Sequence, residues 1–274
     1  MRVIAADSLG FCAGVRNAVR IAWDALRRAE REGVPCYIYG DIVHSRAVMD
    51  PLIAAGAVRI GSPEGIEPGI VVIRAHGIPD GVRARFQELG FAIEDATCPV
   101  VIRSQRLVRE SVRPVIIIGN AGHSEIVSLM GSGKDCFLAG CPDDLLSIPV
   151  GSYDAVVQTT FSRPMVEEIA RKADEMGFSI RFLNDICPAS VERRHALEAI
   201  LPEVDAVVVC GDSSSRNTME LVSLSEQHGR PAFLVSSPSS IPSEVFSSGT
   251  IGLTAGASCP DTLIEEVRRR LSNG

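Results

Sequence analysis

An α/β fold of three related lobes around a shared centre is what this sequence predicts, and three observations predict it. Cys12, Cys98 and Cys187 recur at nearly equal intervals along the 274 residues. Each is followed by a helical pattern and then by an apolar run that closes in a Gly-containing polar loop. Short β-rich runs alternate with helical ones throughout the chain. Self-similarity at a fixed period marks a repeated supersecondary unit, and strands alternating with helices give mostly parallel sheets. Three such repeats would bring three thiolates together on a pseudo-threefold axis. Three converging sulfurs suit a metal centre that keeps one coordination position open.

The elements follow in order. Residues 2–5 form a strand that leads into Gly10-Phe-Cys-Ala-Gly-Val. Residues 91–95 and 179–183 lead in the same way into Thr97-Cys-Pro-Val and Ile186-Cys-Pro-Ala. Proline directly after cysteine sits where the first helical turn tolerates it best, so each cysteine reads as a helix N-cap. Apolar strands ending in polar loops occupy residues 37–44, 115–125 and 206–217, and again residues 70–77, 155–162 and 249–258. Helical patterns cover residues 164–176 and 261–271, and the Ser- and Pro-rich residues 236–248 read as a surface loop. The first repeat takes its leading strand from the start of the chain, as if circularly offset. The repeat divides the chain into lobes 1–97 (with the N-terminal strand), 98–186 and 187–274.

Composition narrows the function. At 46% hydrophobic and 22% charged residues, with net charge −7, the chain is of ordinary globular type and no general nucleic-acid binder. No apolar run reaches the ~20 residues of a membrane span. The strand-like N-terminus argues against a signal peptide. Eight cysteines without export signals suit reduced thiols in a cytoplasm better than disulfides.

In parallel α/β units ligands bind beyond the carboxyl ends of strands. The loops at those ends carry His44, His76, His123, Glu125, Thr159, Thr160, Ser215, Asn217 and Ser258. A helix N-terminus favours thiolate over thiol. Three such sites would direct backbone donors at the sulfurs of an anionic iron–sulfur cluster, with one iron left free. Cys36, Cys136, Cys141, Cys210 and Cys259 lack this context and read as packing residues. The histidines lack the short spacing of a compact zinc site, so anion binding by His, Ser and Asn is the better assignment. Glu125, two residues after His123, becomes a proton donor if burial raises its pKa. His195 and His228 read as surface or capping residues.

With these residues assembled, the chain resembles the 4-hydroxy-3-methylbut-2-enyl diphosphate reductase (LytB/IspH) family over essentially its whole length. The motifs that carry the resemblance are Phe11-Cys-Ala-Gly-Val-Arg, Ile42-Val-His, Ala75-His-Gly, Asp95-Ala-Thr-Cys-Pro, Gly122-His-x-Glu, Gln158-Thr-Thr, Ile186-Cys and Thr254-Ala-Gly-Ala-Ser. The resemblance implies a trefoil of three α/β lobes around a [4Fe–4S] cluster held by Cys12, Cys98 and Cys187. It implies reductive loss of an allylic hydroxyl, giving isopentenyl and dimethylallyl diphosphate on the methylerythritol phosphate route, with Glu125 and Thr159 organising protonation. His44, His76, His123, Thr160, Ser215, Asn217 and Ser258 would hold the diphosphate, and a ferredoxin or flavodoxin would supply electrons.

The sequence departs from the family pattern at Ser45, Arg74, Ser124, Ser128, Leu129 and Arg216. Arginine in place of serine adds volume, charge and a rigid donor fork. A paralogue acting on another anionic allylic alcohol, its anion pocket altered by Arg74, Arg216, Ser45, Ser128 and Leu129, is therefore the second expectation. A non-catalytic cluster-based sensor has no need of an acid–threonine pair. A zinc hydrolase built on the three thiolates is weaker still.

Overall fold

The computed structural model describes residues 1–273. The chain runs β1 (Arg2–Ala5), α1 (Ala13–Glu32), β2 (Cys36–Tyr39), α2 (Arg46–Ala54), β3 (Val58–Ile60), β4 (Ile70–Ile73), α3 (Asp80–Glu88), β5 (Ala92–Asp95), α4 (Pro99–Glu110), β6 (Val115–Ile118), α5 (Ser124–Met130), β7 (Cys136–Ala139), β8 (Ser152–Val157), α6 (Arg163–Glu175), β9 (Ser179–Phe182), α7 (Pro188–Ile200), β10 (Ala206–Cys210), α8 (Arg216–Gln227), β11 (Ala232–Val235), β12 (Thr250–Ala255) and α9 (Asp261–Asn273). The strands form three four-stranded sheets, ordered β3-β2-β4-β5, β7-β6-β8-β9 and β11-β10-β12-β1. Every recorded strand pairing is parallel.

Taken from the same edge, the three orders are one pattern: second, first, third, fourth. The central strands are runs of β-branched residues, Ile-Val-Val-Ile in β4 and Val-Ile-Ile-Ile in β6, with every side chain buried. Helices covering both faces of a parallel sheet demand such continuous apolar strands. The edge strands β3, β7 and β11, half-exposed and three or four residues long, gave no comparable signal.

Two compact units are distinguished. One comprises Met1–Val19, Val43–Ala55 and the chain from Pro188 onward, and holds the third sheet. The other comprises Arg20–Ile42 and Gly56–Cys187, and holds the first two sheets. The sequence groups residues 2–5 with the first lobe, whereas the structure pairs β1 with β12, Arg2 opposite Thr250 and Ala5 opposite Leu253. An edge strand contributes backbone donors and acceptors to whichever sheet lacks its fourth member, and sequence order does not specify which. Residues 236–248 contain two 3₁₀ turns, Pro238–Ser240 and Ser243–Ser247, and Val245 in the second is fully buried. No helix among the described residues is long and apolar enough to cross a membrane.

In this strand order the connections from the first and third strands leave on opposite sides, and ligands bind beyond the carboxyl ends at such a reversal. Those ends lead into residues 74–77 after β4, 120–123 after β6, 158–160 after β8 and 256–258 after β12.

Candidate functional site

In the unit with two sheets, the chemistry centres on Glu125. His123 caps α5, its Nδ1 accepting the Glu125 amide at 3.2 Å, so the neutral ring carries its hydrogen on Nε2. The His76 and His123 rings meet edge to face, with centroids 5.3 Å apart. Glu125 in the first turn of α5 is 0% exposed. Its Oε1 accepts the Thr159 amide at 2.8 Å and its Oε2 accepts the Thr159 hydroxyl at 2.7 Å. Burial pushes this carboxyl up to about 7, although both Thr159 bonds favour the charged form. A buried carboxylic acid that titrates near neutrality is able to donate a proton.

The cysteine-bearing segments of this unit are tied to the same strand ends. The Cys187 amide donates to the Thr159 carbonyl at 2.8 Å, and the Cys98 amide donates to the Ala75 carbonyl at 2.9 Å. Cys98 occupies the N-cap of α4 with Pro99 behind it, and Cys187 directly precedes α7. Gln158, which the site assignment from sequence passed over, braces the loop after β6 against its own. Its Oε1 accepts the Asn120 amide at 2.9 Å and its Nε2 donates to Thr160 Oγ1 at 3.1 Å. Its place beside Thr159 in the Gln-Thr-Thr motif was the available signal.

The residues that depart from the family pattern have identifiable partners. Arg74 donates from Nε to the Gly77 carbonyl at 3.2 Å, and its guanidinium lies over the Tyr39 ring, 5.5 Å from the centroid. Ser128 is fully buried and accepts Gln105 Nε2 at 2.7 Å; its Oγ would lie 2.7 Å from a Cβ at Gly77, whose φ is +71°. Leu129 is packed among Val108, Ile117, Ile126 and Val156. Ser128 and Leu129 are thus tied into a buried hydrogen bond and into core packing. They sit one helical turn beyond Glu125, ~5 Å along the axis, where α5 faces the core.

In the other unit, Ser215 caps α8 and its Oγ accepts the Thr218 amide at 3.4 Å. Ser258 Oγ lies 3.2 Å from both the His44 carbonyl and Ser215 Oγ. Its single hydroxyl hydrogen can be donated to either acceptor. Ser45 is buried at the N-cap of α2. Asn217 Oδ1 accepts the Ala257 amide at 2.8 Å, and the Ala257 carbonyl accepts the Cys12 amide at 3.3 Å. Arg216 Nε stands 4.0 Å from Glu220 on its own helix, with the side chain 44% exposed. Arg193, buried in α7, donates to the carbonyls of Ala189 and Gly10, an interaction no sequence feature announced.

Six of the eight cysteines divide into two sets, while Cys136 and Cys141 are partly exposed and belong to neither. Cys12, Cys98 and Cys187 are partly exposed at helix starts, and Val15 donates its amide to Cys12 Sγ at 3.4 Å. Cys36, Cys210 and Cys259 are buried, and burial pushes the first two thiols up to about 11 and about 12 and the third further in the same direction. Those three stay protonated and pack as apolar groups. Three partly exposed thiols at helix starts, with a backbone amide facing the Cys12 sulfur, are a donor set that fits an iron–sulfur cluster. His195 is exposed, and His228 caps α8 with Nδ1 2.9 Å from the Leu224 carbonyl.

Fold and site together define an α/β protein of three like parallel sheets whose strand ends collect thiol, imidazole and carboxyl groups. The family profile described as LytB protein matches residues 3–272, and the chain belongs to the LytB family. A 4-hydroxy-3-methylbut-2-enyl diphosphate reductase of Treponema denticola is 34% identical over 100% of both chains. The enzyme of that name from Methylibium petroleiphilum is 37% identical over 98% of this chain and 84% of its own. A solved structure of the E-1-hydroxy-2-methyl-but-2-enyl-4-diphosphate reductase from Plasmodium falciparum superposes with a TM-score of 0.90 at 25% identity, over 98% of this chain and 87% of that one.

Proposed function

We propose that this protein reduces 4-hydroxy-3-methylbut-2-enyl diphosphate to isopentenyl and dimethylallyl diphosphate. The allylic C–O bond breaks, two electrons and two protons are taken up, a C–H bond forms and the hydroxyl leaves as water. The observation that carries this reading is the buried Glu125 carboxyl held by the Thr159 amide and hydroxyl. Its raised pKa keeps a proton available near neutral pH, at a strand end where ligands of this fold class bind.

Cys12, Cys98 and Cys187 would hold a [4Fe–4S] cluster, one from each sequence repeat. When bound, the cluster supplies the electrons and a Lewis-acidic iron at the leaving hydroxyl. Thr159 orients the Glu125 proton, and its own hydroxyl is polarised by the carboxylate it donates to. His44, His76, His123, Thr160, Ser215, Asn217 and Ser258 bind the diphosphate, the α8 N-terminus adding amide donors. A ferredoxin or flavodoxin delivers electrons, and free thiols suit a reducing cytoplasm.

The engagement of Arg74 with Gly77 and Tyr39, and the place of Arg216 beside Glu220, support the isoprenoid substrate over the paralogue reading. The test is turnover by anaerobically prepared protein with a chemically reduced viologen, followed by mass spectrometry of the products. Formation of both five-carbon diphosphates is expected. A cluster-loaded preparation that leaves the substrate untouched would sink the reading.

A further inference from the structure

The cysteine segments share one hydrogen-bonded strap. Ala75, Thr159 and Ala257 each lie two residues beyond the end of β4, β8 and β12. The carbonyls of these residues accept the amides of Cys98, Cys187 and Cys12, at 2.9, 2.8 and 3.3 Å. A strap oriented this way works only if its own peptide is fixed, and in each repeat the amide of the strap residue has an acceptor. For Ala75 the acceptor is the Ile42 carbonyl at 3.0 Å, for Thr159 it is Glu125 Oε1 at 2.8 Å, and for Ala257 it is Asn217 Oδ1 at 2.8 Å. Glu125 and Asn217 are also equivalent in their helices, each two residues past its N-cap, His123 and Ser215. Both are buried.

We propose that Asn217 is a positioning residue for Cys12, fixing the Ala257 peptide whose carbonyl orients the cysteine, as Glu125 fixes Thr159 for Cys187. The amide side chain divides its work. Oδ1 is committed to Ala257, which leaves the Nδ2 hydrogens as the donors available to an anion. Loss of Asn217 therefore loosens a cluster ligand as well as weakening substrate binding. The inference rests on Cys12 being a ligand of the cluster. Partners that orient metal ligands from behind typically change metal retention by about 10- to 100-fold when removed.

The test compares wild type, Asn217→Ala and Asn217→Asp as cluster-loaded protein. Two quantities are read: the anaerobic rate of iron loss to a chelator and the electron paramagnetic resonance spectrum of the reduced cluster. Asn217→Ala is expected to release iron about tenfold faster or more, with a shifted spectrum. Asn217→Asp keeps an oxygen for the Ala257 amide, in the manner of Glu125, and is expected to restore wild-type iron retention. Its diphosphate affinity should still fall, because it adds negative charge and removes Nδ2. Wild-type iron release from Asn217→Ala, or release from Asn217→Asp as fast as from the alanine variant, overturns the inference. If the alanine protein does not accumulate, Asn217→Ser, whose hydroxyl is too short to reach Ala257, carries the same comparison. Wild-type protein without iron, or full iron retention in Cys12→Ser, would instead remove the cluster reading beneath it.

Discussion

Thr159 donates both its amide and its hydroxyl to the two carboxylate oxygens of Glu125, at 2.8 and 2.7 Å, while its carbonyl receives the amide of Cys187. One residue thus links the buried acid to Cys187. The predictions begin from this pair.

Glu125 has a folded-state pKa of about 7 against 4.5 for an unperturbed glutamate, with burial the cause. The folded chain therefore holds the proton more tightly than the unfolded chain. The resulting stability is full below the unfolded value and is lost as pH rises through about 7. Urea unfolding of metal-free protein should show wild type losing stability relative to Glu125→Gln between these limits. Turnover by the proposed route, with Glu125 as the proton donor, should decline above about pH 7. Parallel stability curves for the two proteins would refute the assignment.

Thr159→Val removes the hydroxyl donor and keeps the amide. Because the Thr159 hydroxyl lowers the Glu125 pKa, its loss should move the alkaline limb of the rate profile upward in pH while kcat falls. Thr159→Ser should restore both. A lower kcat with an unmoved limb would show that Thr159 does not tune the acid.

Arg74→Met and Arg216→Ser should behave oppositely if neither side chain reads the substrate. The first loses the bond to the Gly77 carbonyl and the stacking on Tyr39, a cost of about 1–2 kcal/mol in denaturant unfolding. The second breaks an exposed pair at 4.0 Å and should change stability by less than about 0.5 kcal/mol. Neither should raise KM for the diphosphate more than about threefold, the kinetic equivalent of roughly 0.7 kcal/mol. A large KM effect in Arg216→Ser would revive the altered-anion reading.

Serine at Cys12, Cys98 or Cys187 should lower iron loading, since each position presents a partly exposed sulfur at the start of a helix. Cys36→Ala should leave iron content unchanged and cost only packing energy, about 1 kcal/mol, because its thiol is buried and protonated. Iron and sulfide analysis of anaerobic preparations separates these outcomes.

Gly77→Ala should destabilise the fold by about 1–3 kcal/mol. The position has φ +71°, and a Cβ there would stand 2.7 Å from Ser128 Oγ and 3.1 Å from Gln105 Nε2. Pairing it with Ser128→Gly should recover the steric part alone, measurable as a smaller unfolding penalty in the double variant.

Much of the fold is local information. The Val- and Ile-rich runs of β4, β6 and β10 announce strands buried on both faces, because only parallel sheets covered by helices need uninterrupted apolar residues. Cysteine followed by proline announces the starts of α4 and α7, because proline's missing N–H costs nothing in a first turn. The repeat likewise locates the polar strand ends.

Tertiary structure decided what depends on distant partners. Nothing within four residues of Arg2 indicates that β1 joins β12 at the other end of the chain. Backbone hydrogen bonds are the same whichever strand supplies them, so register comes from how the sheets pack. The burial that raises the Glu125 pKa, the commitment of Asn217 Oδ1 to Ala257, and the placing of Arg74 over Tyr39 arise only when separate loops meet. A sequence names the groups able to do chemistry, whereas their protonation and their free donors follow from which neighbours exclude water and which take up their hydrogen bonds.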